Sequence, residues 1–341
     1  MTNGPKITSL PKRLASSRLG TLVIVIFAAV MLSIPAGAGG YPVTILIDIG
    51  LYSIITMGLI MLMGLAGQIS LGHAAFFGSG AYISGVLTTN YGFSPWPALL
   101  LGALISGCVA AFVGRFMFRL HGIILAGVSL ALNLVFFYLV SSLVDITGGS
   151  IGMMSIPPLS IGIFSSKDLL FNYYLVWIIA ILLLVFSLNL ADSRSGRALR
   201  ALNTHAGGSE DAAQVLGVNT LRYKVWALVL SAVYASIAGS IYAHYTSVIE
   251  PGTFMIQLSA MLALMAIIGG RSSPWGAFLG AGLIVGIRQA LRDFIPALVG
   301  GLSGAYELIA YGVILALALL FMPRGLVSIV RKAIPRRGQQ S

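Results

Sequence analysis

The chain has 341 residues, of which 58% are hydrophobic and only 9% are charged. Soluble domains usually carry about 25% charged residues, so this composition excludes an ordinary soluble protein and indicates an integral membrane protein. The formal net charge is +11, and the single cysteine, Cys108, excludes a disulfide within the chain. Its place in an apolar run predicts a small core residue.

Unbroken apolar runs of about 20 residues, the length that a helix needs to cross a bilayer, recur along the chain. They predict an all-α polytopic membrane protein with about ten transmembrane helices, because lipid forces each span to satisfy its own backbone hydrogen bonds. In chain order the predicted spans are 20–38, 43–65, 70–89, 95–118, 122–143, 171–190, 224–246, 253–270, 274–291 and 304–322. They form one transmembrane domain, 20–323, between a basic N-terminal segment, 1–19, and a basic tail, 324–341.

The distribution of Lys and Arg predicts the orientation of the spans. If the N-terminus lies in the cytoplasm, 17 of the 20 basic residues fall on the cytoplasmic side and 3 fall outside, at Lys167, Arg288 and Arg292. This is the pattern of the positive-inside rule, and it predicts that both termini are cytoplasmic. Basic residues so placed face anionic headgroups, which argues against a nucleic-acid partner. Residues 36–38, "AGA", also fit a signal-peptidase site, but we expect the first span to be retained because its basic flank agrees with the later spans.

The second and third spans are separated only by "GLAGQISLG", residues 64–72. Gly67 and Gly72 are expected to loosen the helix at this point, and the side chains of Gln68 and Ser70 can bond the backbone groups that the break sets free. Ser70 is predicted to be the N-cap of the third span.

Acidic side chains are few within the predicted spans, and some other polar side chains there are functional candidates. His73, in the first turn of the third span, either stabilises that turn through a hydrogen bond or lines a solute pathway. Asn133, in the middle of the fifth span, either bonds across helices or lines the same pathway. Asp48 and Glu307 lie near the outer side, where a structural or lipid-edge role competes with a functional one. His244 is expected at the interface near the outer end of the seventh span.

Small residues recur every four positions and predict close helix packing in lipid. Three stripes stand out: Ser70, Ala74 and Gly78; Ser231, Ala235, Gly239 and Ala243; Gly276 and Gly280, with Gly282 and Gly286 beside them. "AFFGSG" at 75–80 is repeated as "AFLGAG" at 277–282, and both follow a turn on the same predicted side. This similarity suggests a duplicated unit.

The outer side carries two further features. The loop 144–170, rich in Gly, Ser and Pro, either covers the outer mouth or docks a partner, or it is a plain connector. Aromatic residues near span ends are predicted to form interfacial belts; they are Tyr41, Trp96, Tyr173 and Trp177.

The longest polar stretch, 192–223, lies between the sixth and seventh spans. Its first part predicts a basic amphipathic helix, with Leu199 and Leu202 set against Arg197 and Arg200. "AGG" at 206–208 then breaks this helix.

A second, shorter helix is predicted after that break. Ser209 is a suitable N-cap, Glu210 and Asp211 place negative charge at the positive end of the helix, and Gly217 suits a left-handed C-terminal residue. One face carries Ala212, Ala213 and Leu216. So short a helix needs a surface to lie on. Either it rests on lipid headgroups, or its small-residue face docks in a protein groove.

Four segments resemble a known family. "DAAQVLG" at 211–217 is similar to the E-A-A-x-x-x-G core of the coupling loop in ABC importer permeases, although Asp211 replaces the usual Glu and the I-x-L-P that often follows is missing. "GLAGQISLGHAAFFGSGAY" at 64–82 resembles the LivM-like permease subunits of branched-chain amino acid ABC transporters. "GRALRAL" at 196–202, which contains Arg200, and "LGVNTLRYK" at 216–224 match the same subgroup.

The resemblance implies one subunit of a heteromeric importer in the bacterial inner membrane. Expected partners are a LivH-like second permease, two cytoplasmic ABC ATPases and a periplasmic or extracellular substrate-binding protein. Asp211, Ala212, Ala213 and Gly217 would form the helix that fits the ATPase. The sequence contains no G-x-x-x-x-G-K-[ST] phosphate loop, so ATP would be bound by the partner subunits and the chain itself needs no cofactor.

Other functions stay open at this point. Leucine, isoleucine and valine are the first expectation for the solute, but related permeases for urea, amides or aromatic acids would look similar. A stand-alone secondary transporter is less favoured, because the broken motif 64–72 carries no acidic residue for a coupling ion. A membrane enzyme is disfavoured as well, since no paired carboxylates, metal cluster or nucleophile set has supporting spacing.

Overall fold

The structure is a computed structural model. It describes residues 18–36, 40–120, 123–161, 164–166, 168–203, 208–271 and 273–299. The α-helices of this part are α1 (Arg18–Ser33), α2 (Gly40–Ile60), α3 (His73–Thr89), α4 (Pro95–Met117), α5 (Ile123–Ser142), α6 (Val144–Thr147), α7 (Leu169–Asp192), α8 (Arg194–Leu202), α9 (Glu210–Val215), α10 (Thr220–Thr246), α11 (Ile256–Gly269) and α12 (Gly276–Val299). A π-helical turn, Met61–Leu65, extends α2, and 3-10 turns cover Ile34–Ala36, Gly149–Ile151 and Pro251–Phe254. The two-residue strands β1 (Ser160–Ile161) and β2 (Phe164–Ser165) pair antiparallel.

This helical architecture confirms a polytopic membrane protein. Each predicted span except the last coincides with a helix, and the last, 304–322, lies outside the described residues together with the segment 1–17 and the tail. Within the described part, five helices are long and apolar enough to cross a membrane: Gly40–Leu65, Pro95–Met117, Ile124–Ser142, Leu169–Asp192 and Thr220–Thr246. Shorter apolar helices cover Leu22–Ser33, Ile256–Gly269 and Gly276–Ala290.

The centre of the bundle is the contact of α3 with α10, and small residues allow it. A Cβ atom on Gly239 would lie 1.9 Å from the carbonyl oxygen of Phe77, and one on Gly80 would lie 2.1 Å from the carbonyl oxygen of Ser236. Only glycine permits backbones to approach this closely. The predicted stripe on the seventh span is therefore confirmed as a packing surface.

Hydrogen bonds between hydroxyl groups connect α4 to α3 and α10. The Ser106 hydroxyl donates to Ser236 Oγ at 3.1 Å and lies 2.7 Å from Ser79 Oγ. The outer surface of α4 is apolar, with Leu100, Leu104 and Phe112 more than 60% exposed. Cys108 is exposed on that surface rather than buried in the core, so our prediction for it was wrong. The apolar neighbours did not distinguish a lipid-facing side from the core.

Beside the helices α3, α4 and α10, a second group is formed by α2, which packs against α7, α11 and α12. A Cβ on Gly280 would lie 1.9 Å from the carbonyl oxygen of Met265, which confirms close packing at the third stripe. Gly282, by contrast, leaves open space, because a Cβ added there would have no atom within 4 Å. Both α3 and α12 begin after a glycine-bearing turn at the same end of the bundle. The hypothesis of a duplicated unit stays a prediction.

The predicted aromatic belt is wrong for two residues. Trp177 is 2% exposed, stacks on Phe278 at 5.8 Å between ring centroids and contacts Phe27 edge-on at 6.1 Å. Tyr173 is fully buried and its hydroxyl donates to the carbonyl of Met31. The reason is that α1 covers this face of α7 and removes it from the interface.

The described residues of the loop 144–170 pack on the ends of α3 and α10, so the loop is more than a plain connector. Met153 exchanges two backbone hydrogen bonds with Ile249, of 2.8 and 2.9 Å. His244 is fully buried beneath the loop, where its Nδ1 lies 2.6 Å from the carbonyl oxygen of Pro157 and its Nε2 lies 2.8 Å from Ser84 Oγ. The interfacial position predicted for His244 was therefore wrong, because the loop shields it.

Candidate functional site

The helix break predicted at 64–72 begins one turn earlier than its glycines suggest. The last turn of the second span, Met61–Leu65, is π-helical, a form frequent at functional sites. A Cβ on Gly64 would lie 1.8 Å from the carbonyl oxygen of Arg271, so this position requires glycine. Gly67 follows with φ +69°, the left-handed conformation that glycine adopts without strain.

The freed backbone groups of the break are bonded by side chains. Gln68 Nε2 donates to the carbonyl of Ala66 at 3.0 Å, and the Leu71 amide donates to Ser129 Oγ at 2.9 Å. The Ser70 hydroxyl accepts only a long bond of 3.4 Å from the Gly72 amide. These bonds confirm that polar side chains close the turn.

The N-cap predicted for the third span was wrong. The helix α3 begins at His73, with Gly72 at the N-cap position and no side-chain cap from Ser70. Instead, the Ala74 amide donates to Ser259 Oγ of α11 at 3.0 Å. A serine from a distant helix thus satisfies a donor that the local sequence assigned to Ser70.

His73 and Asn133 both make hydrogen bonds to distant parts of the chain in the interior, His73 to α10 and Asn133 to the 3-10 turn before α11. His73 is fully buried and its Nε2 lies 2.5 Å from Ser231 Oγ of α10. Asn133 is 1% exposed and its Nδ2 donates to the carbonyl of Phe254 at 3.1 Å. In the described part of the chain, no partner is found for His73 Nδ1 or Asn133 Oδ1. The predicted bond of Asn133 to another part of the bundle is confirmed, whereas His73 bonds α10 rather than its own turn. A place on a solute pathway stays a prediction for both residues.

The amphipathic helix predicted after the sixth span is α8. Ser193 caps it by accepting from the Gly196 amide at 3.2 Å, while Leu199 and Leu202 are buried as predicted. Arg200 donates to the carbonyl of Ala191, so α8 folds back on the end of α7.

The short helix α9 has the predicted ends. Ser209 Oγ accepts from the Ala212 amide at 3.3 Å, and the Gly217 amide donates to the carbonyl of Gln214 at 2.9 Å. Gly217 has φ +80°, which confirms the left-handed C-terminal residue. Asp211 lies exposed in the first turn.

The face predicted for α9 was partly wrong. Ala213 is 3% exposed and packs inward, whereas Ala212 is exposed. Val215 and Leu216 are 88% and 82% exposed. Residues three and four apart share a helix face, so the exposed face is formed by Ala212, Val215 and Leu216. The two alanines cannot both dock outward, because one of them holds α9 on the protein.

Glu210 has a second role that the sequence did not reveal. Its two carboxylate oxygens lie 2.7 and 2.6 Å from Nζ of Lys224, whose side chain is 2% exposed. Lys224 belongs to α10, so this ion pair holds the first turn of α9 against a membrane helix. Removing one member of a buried pair costs more than removing both.

We expect Glu210→Gln to loosen α9 more than Lys224→Met does. The first change leaves a buried ammonium without its carboxylate, whereas the second leaves a carboxylate that is 24% exposed and can regain water. The double variant should lie nearer to wild type than Glu210→Gln alone. Amide hydrogen exchange of α9 measures this order, and equal protection in both single variants would contradict it.

Asn203 connects the polar segment to the helix break. This residue is 4% exposed and its Nδ2 donates to the carbonyl of Gly64 at 2.7 Å. Its Cα would lie 3.1 Å from a Cβ on Gly67. Its own carbonyl accepts from the Gly208 amide at 2.9 Å, next to the N-cap of α9. One residue therefore joins the end of α8 and the approach to α9, through its backbone, to the break in the second span, through its side chain.

The hydrogen bonds of several residues of this site were not predicted from the sequence: those of Asn203, Lys224 and the serines at positions 129, 231 and 259. The signal available in the sequence was an amide residue directly after the last apolar residue of an amphipathic helix. A buried amide is unusual at such a position. Within the described residues, no group of three or more His, Cys, Asp or Glu side chains could hold a metal ion.

Comparisons with known proteins give a consistent result. Residues 41–322 match the family described as branched-chain amino acid transport system, permease component. The chain is 29% identical to the high-affinity branched-chain amino acid transport system permease protein LivM of Salmonella typhimurium, over 85% of this chain and 71% of that protein. It is also 28% identical to the permease protein LivH of the corresponding Escherichia coli system, over 81% of this chain and 91% of that protein.

Part of the chain is also similar to a sugar import permease. The chain is 28% identical to the ribose import permease protein RbsC of Haemophilus influenzae, over 42% of this chain and 43% of that protein. No solved structure matches the chain.

Proposed function

This chain belongs to the branched-chain amino acid transport system permease family, and on that premise we propose that it forms half of a pathway for branched-chain amino acids. It is a multi-pass permease component of an ABC importer and has a transport role. The proposed solutes are leucine, isoleucine and valine, in agreement with the names of the LivM and LivH relatives.

The proposed complex contains a LivH-like second permease, two cytoplasmic ABC ATPases and a periplasmic or extracellular binding protein. It lies in the bacterial cytoplasmic membrane, with both termini of this chain in the cytoplasm, flanking the transmembrane domain 20–323. ATP is bound by the ATPases, and this chain carries no cofactor. The distribution of basic residues and the lack of a phosphate loop in the sequence support this division of labour.

The observation that carries the proposal is the exposed apolar face of α9. The cytoplasmic segment is otherwise strongly polar, yet Val215 and Leu216 are almost completely exposed on a capped, anchored helix. Exposed apolar groups on a rigid support are typical of a protein interaction site. We propose that Ala212, Val215 and Leu216 enter the ATPase groove, with Asp211, Ser209 and Gly217 shaping the two ends of the helix.

Motion of α9 has a physical route into the membrane. Its first turn is held by Glu210 and Lys224, and the approach to it is bonded to Asn203, which holds Gly64. The break 64–72 then leads directly into α3, where His73 bonds Ser231 of α10. We propose that closure of the ATPases shifts this break, together with Gly67, Gln68, Ser70 and Gly72, and so switches the access of the pathway.

Other solutes remain an alternative. Permeases for urea, amides or aromatic acids would use the same coupling helix, and the binding protein would select among solutes. Binding measurements on the cognate binding protein discriminate these alternatives. ATP-dependent uptake that requires the partner subunits discriminates an ABC importer from a secondary transporter.

The coupling role of α9 is tested by the double variant Val215→Asp, Leu216→Asp. Both side chains are exposed, so the variant should insert and fold as wild type does. We expect the ATPase to bind about tenfold or more weakly, because the apolar anchors of the contact are lost. Co-purification of the ATPase with the tagged permease measures the effect.

The matched control is Ile151→Asp. Ile151 is 76% exposed in the outer loop, at the other end of the bundle from α9. This change should leave ATPase co-purification unaltered. Full retention of the ATPase by the Val215, Leu216 variant would contradict the assignment of α9.

A further inference from the structure

A cavity of about 1100 Å³ opens at the end of the bundle opposite the helix break. It is formed by the first half of α2, the end of α10, the start of α11 and the second half of α12. Asp48 lines it, while the break lies along the same helix at Met61–Leu65, about 20 Å away at 1.5 Å per residue. With the N-terminus in the cytoplasm, this end faces outward.

Opposite charges line the cavity from facing helices. Asp48 of α2 and Arg288 of α12 both contribute to its wall and interact electrostatically with each other. Arg288 also lies within hydrogen-bonding reach of the Tyr52 hydroxyl. Glu250 and Arg292 repeat the two signs of charge nearer to solvent, because both are exposed. Ionisable groups within membrane helices are costly and commonly mark solute pathways.

The remaining wall is apolar. Leu258 of α11 and Ile284 and Val285 of α12 line the cavity and are 8%, 5% and 6% exposed. Met261 and Leu264 continue this surface along α11. The cavity therefore offers an anionic group, a cationic group and an aliphatic surface within one space, which is the usual character of a small-molecule site.

We propose that this cavity binds the zwitterion of an aliphatic α-amino acid on its way through the permease. The carboxylate of the solute is bound by Arg288, its ammonium group by Asp48, and its side chain packs against Leu258, Ile284 and Val285. A solute with only one of the two charges would leave the opposite group of the site without its partner, which costs free energy in a desolvated space. The proposal rests on the proposed function and adds a solute site within this chain.

The site is tested in the complex of both permeases and the ATPases, from which the binding protein is left out. Cys108 is the single cysteine of the chain, so Cys108→Ser with Gln257→Cys gives one reporter thiol on the cavity wall when the other subunits are made cysteine-free. Gln257 lines the cavity and is exposed. The rate of labelling by a membrane-impermeant maleimide is measured with and without solute.

We expect L-leucine to slow the labelling, whereas isoamylamine, which lacks the carboxylate, and 4-methylpentanoate, which lacks the ammonium group, do not. Asp48→Asn and Arg288→Gln should each raise the leucine concentration for half-protection by about tenfold, because each removes one charge-assisted contact. Arg288→Lys should recover part of the protection. Asp168→Asn, which removes an exposed carboxylate outside the cavity, should leave protection unchanged.

The outcomes separate the site from the proposed function. If the complex imports leucine but leucine does not protect Gln257→Cys, the cavity is not the solute site and the function stands. Equal protection by all three compounds would overturn zwitterion recognition. If protection survives in both Asp48→Asn and Arg288→Gln, these residues have a structural role only. A complex that imports no branched-chain amino acid would instead overturn the proposed function.

Discussion

Replacing Asn203 by alanine is expected to reduce ATP-driven uptake about tenfold while the ATPase remains bound. The substitution leaves the part-buried carbonyl of Gly64 without its donor, a loss of about 0.5–1.5 kcal/mol, at the point where the polar segment contacts the helix break. The exposed face of α9 is not changed, so binding of the ATPase should persist. The measurement is solute imported per ATP hydrolysed, in proteoliposomes that contain the whole complex.

Two companion variants make this result specific. Asn203→Asp keeps the shape of the side chain but cannot donate to Gly64, so it should behave as Asn203→Ala does. Asn219→Ala removes the side chain that caps α10, where Oδ1 accepts from the Arg222 amide at 3.0 Å. Loss of such a cap costs about 1 kcal/mol but does not touch the break. If the Asn203 and Asn219 variants import similar amounts of solute per ATP hydrolysed, Asn203 only stabilises the fold.

Features set by neighbouring residues were predictable from the sequence. The ends of α9 depend on Ser209 and Gly217, whose partners lie within three residues, and both ends were predicted correctly. The five helices that are long and apolar enough to cross a membrane were predictable for a similar reason, since hydrophobic length decides whether a helix fits a bilayer. The full number of spans stays a prediction.

Features set by distant residues were not predictable. The pairs His73 with Ser231, Ala74 with Ser259 and Gly64 with Asn203 are 158, 185 and 139 positions apart. In lipid every backbone donor and acceptor at a break needs a partner, but the sequence does not tell which serine or asparagine supplies it. Ser70 was chosen as the N-cap because it is nearby, and the fold supplied Ser259 instead.

The direction of each helix face was also beyond the sequence. Apolar residues face lipid, core and partner subunits alike in a membrane protein, so hydrophobicity does not sort them. Trp177 is buried under α1, whereas Val215 and Leu216 are exposed on a polar segment. Burial therefore identified the exposed face of α9 and corrected the assignment of Ala213.

Gly239→Ala is expected to destabilise the permease in detergent by about 1–3 kcal/mol or more, because overpacking at a rigid contact forces the backbones apart. The added Cβ would lie 1.9 Å from a backbone oxygen of α3. At Gly78 the nearest atoms belong to the Phe136 ring, at 2.5 Å, and a side chain can move aside. Gly78→Ala should therefore cost less than Gly239→Ala.

The control for both is Gly282→Ala on α12, where a Cβ meets nothing within 4 Å. Alanine favours a helix over glycine by about 1 kcal/mol, so this variant should be as stable as wild type or slightly more stable. Thermal unfolding of the solubilised permease gives the order, with Gly239→Ala lowest, then Gly78→Ala, then Gly282→Ala. If Gly239→Ala unfolds at the same temperature as Gly282→Ala, the backbones of α3 and α10 do not approach as closely as described. The bond between His73 and Ser231 then lacks the rigid support of that close contact.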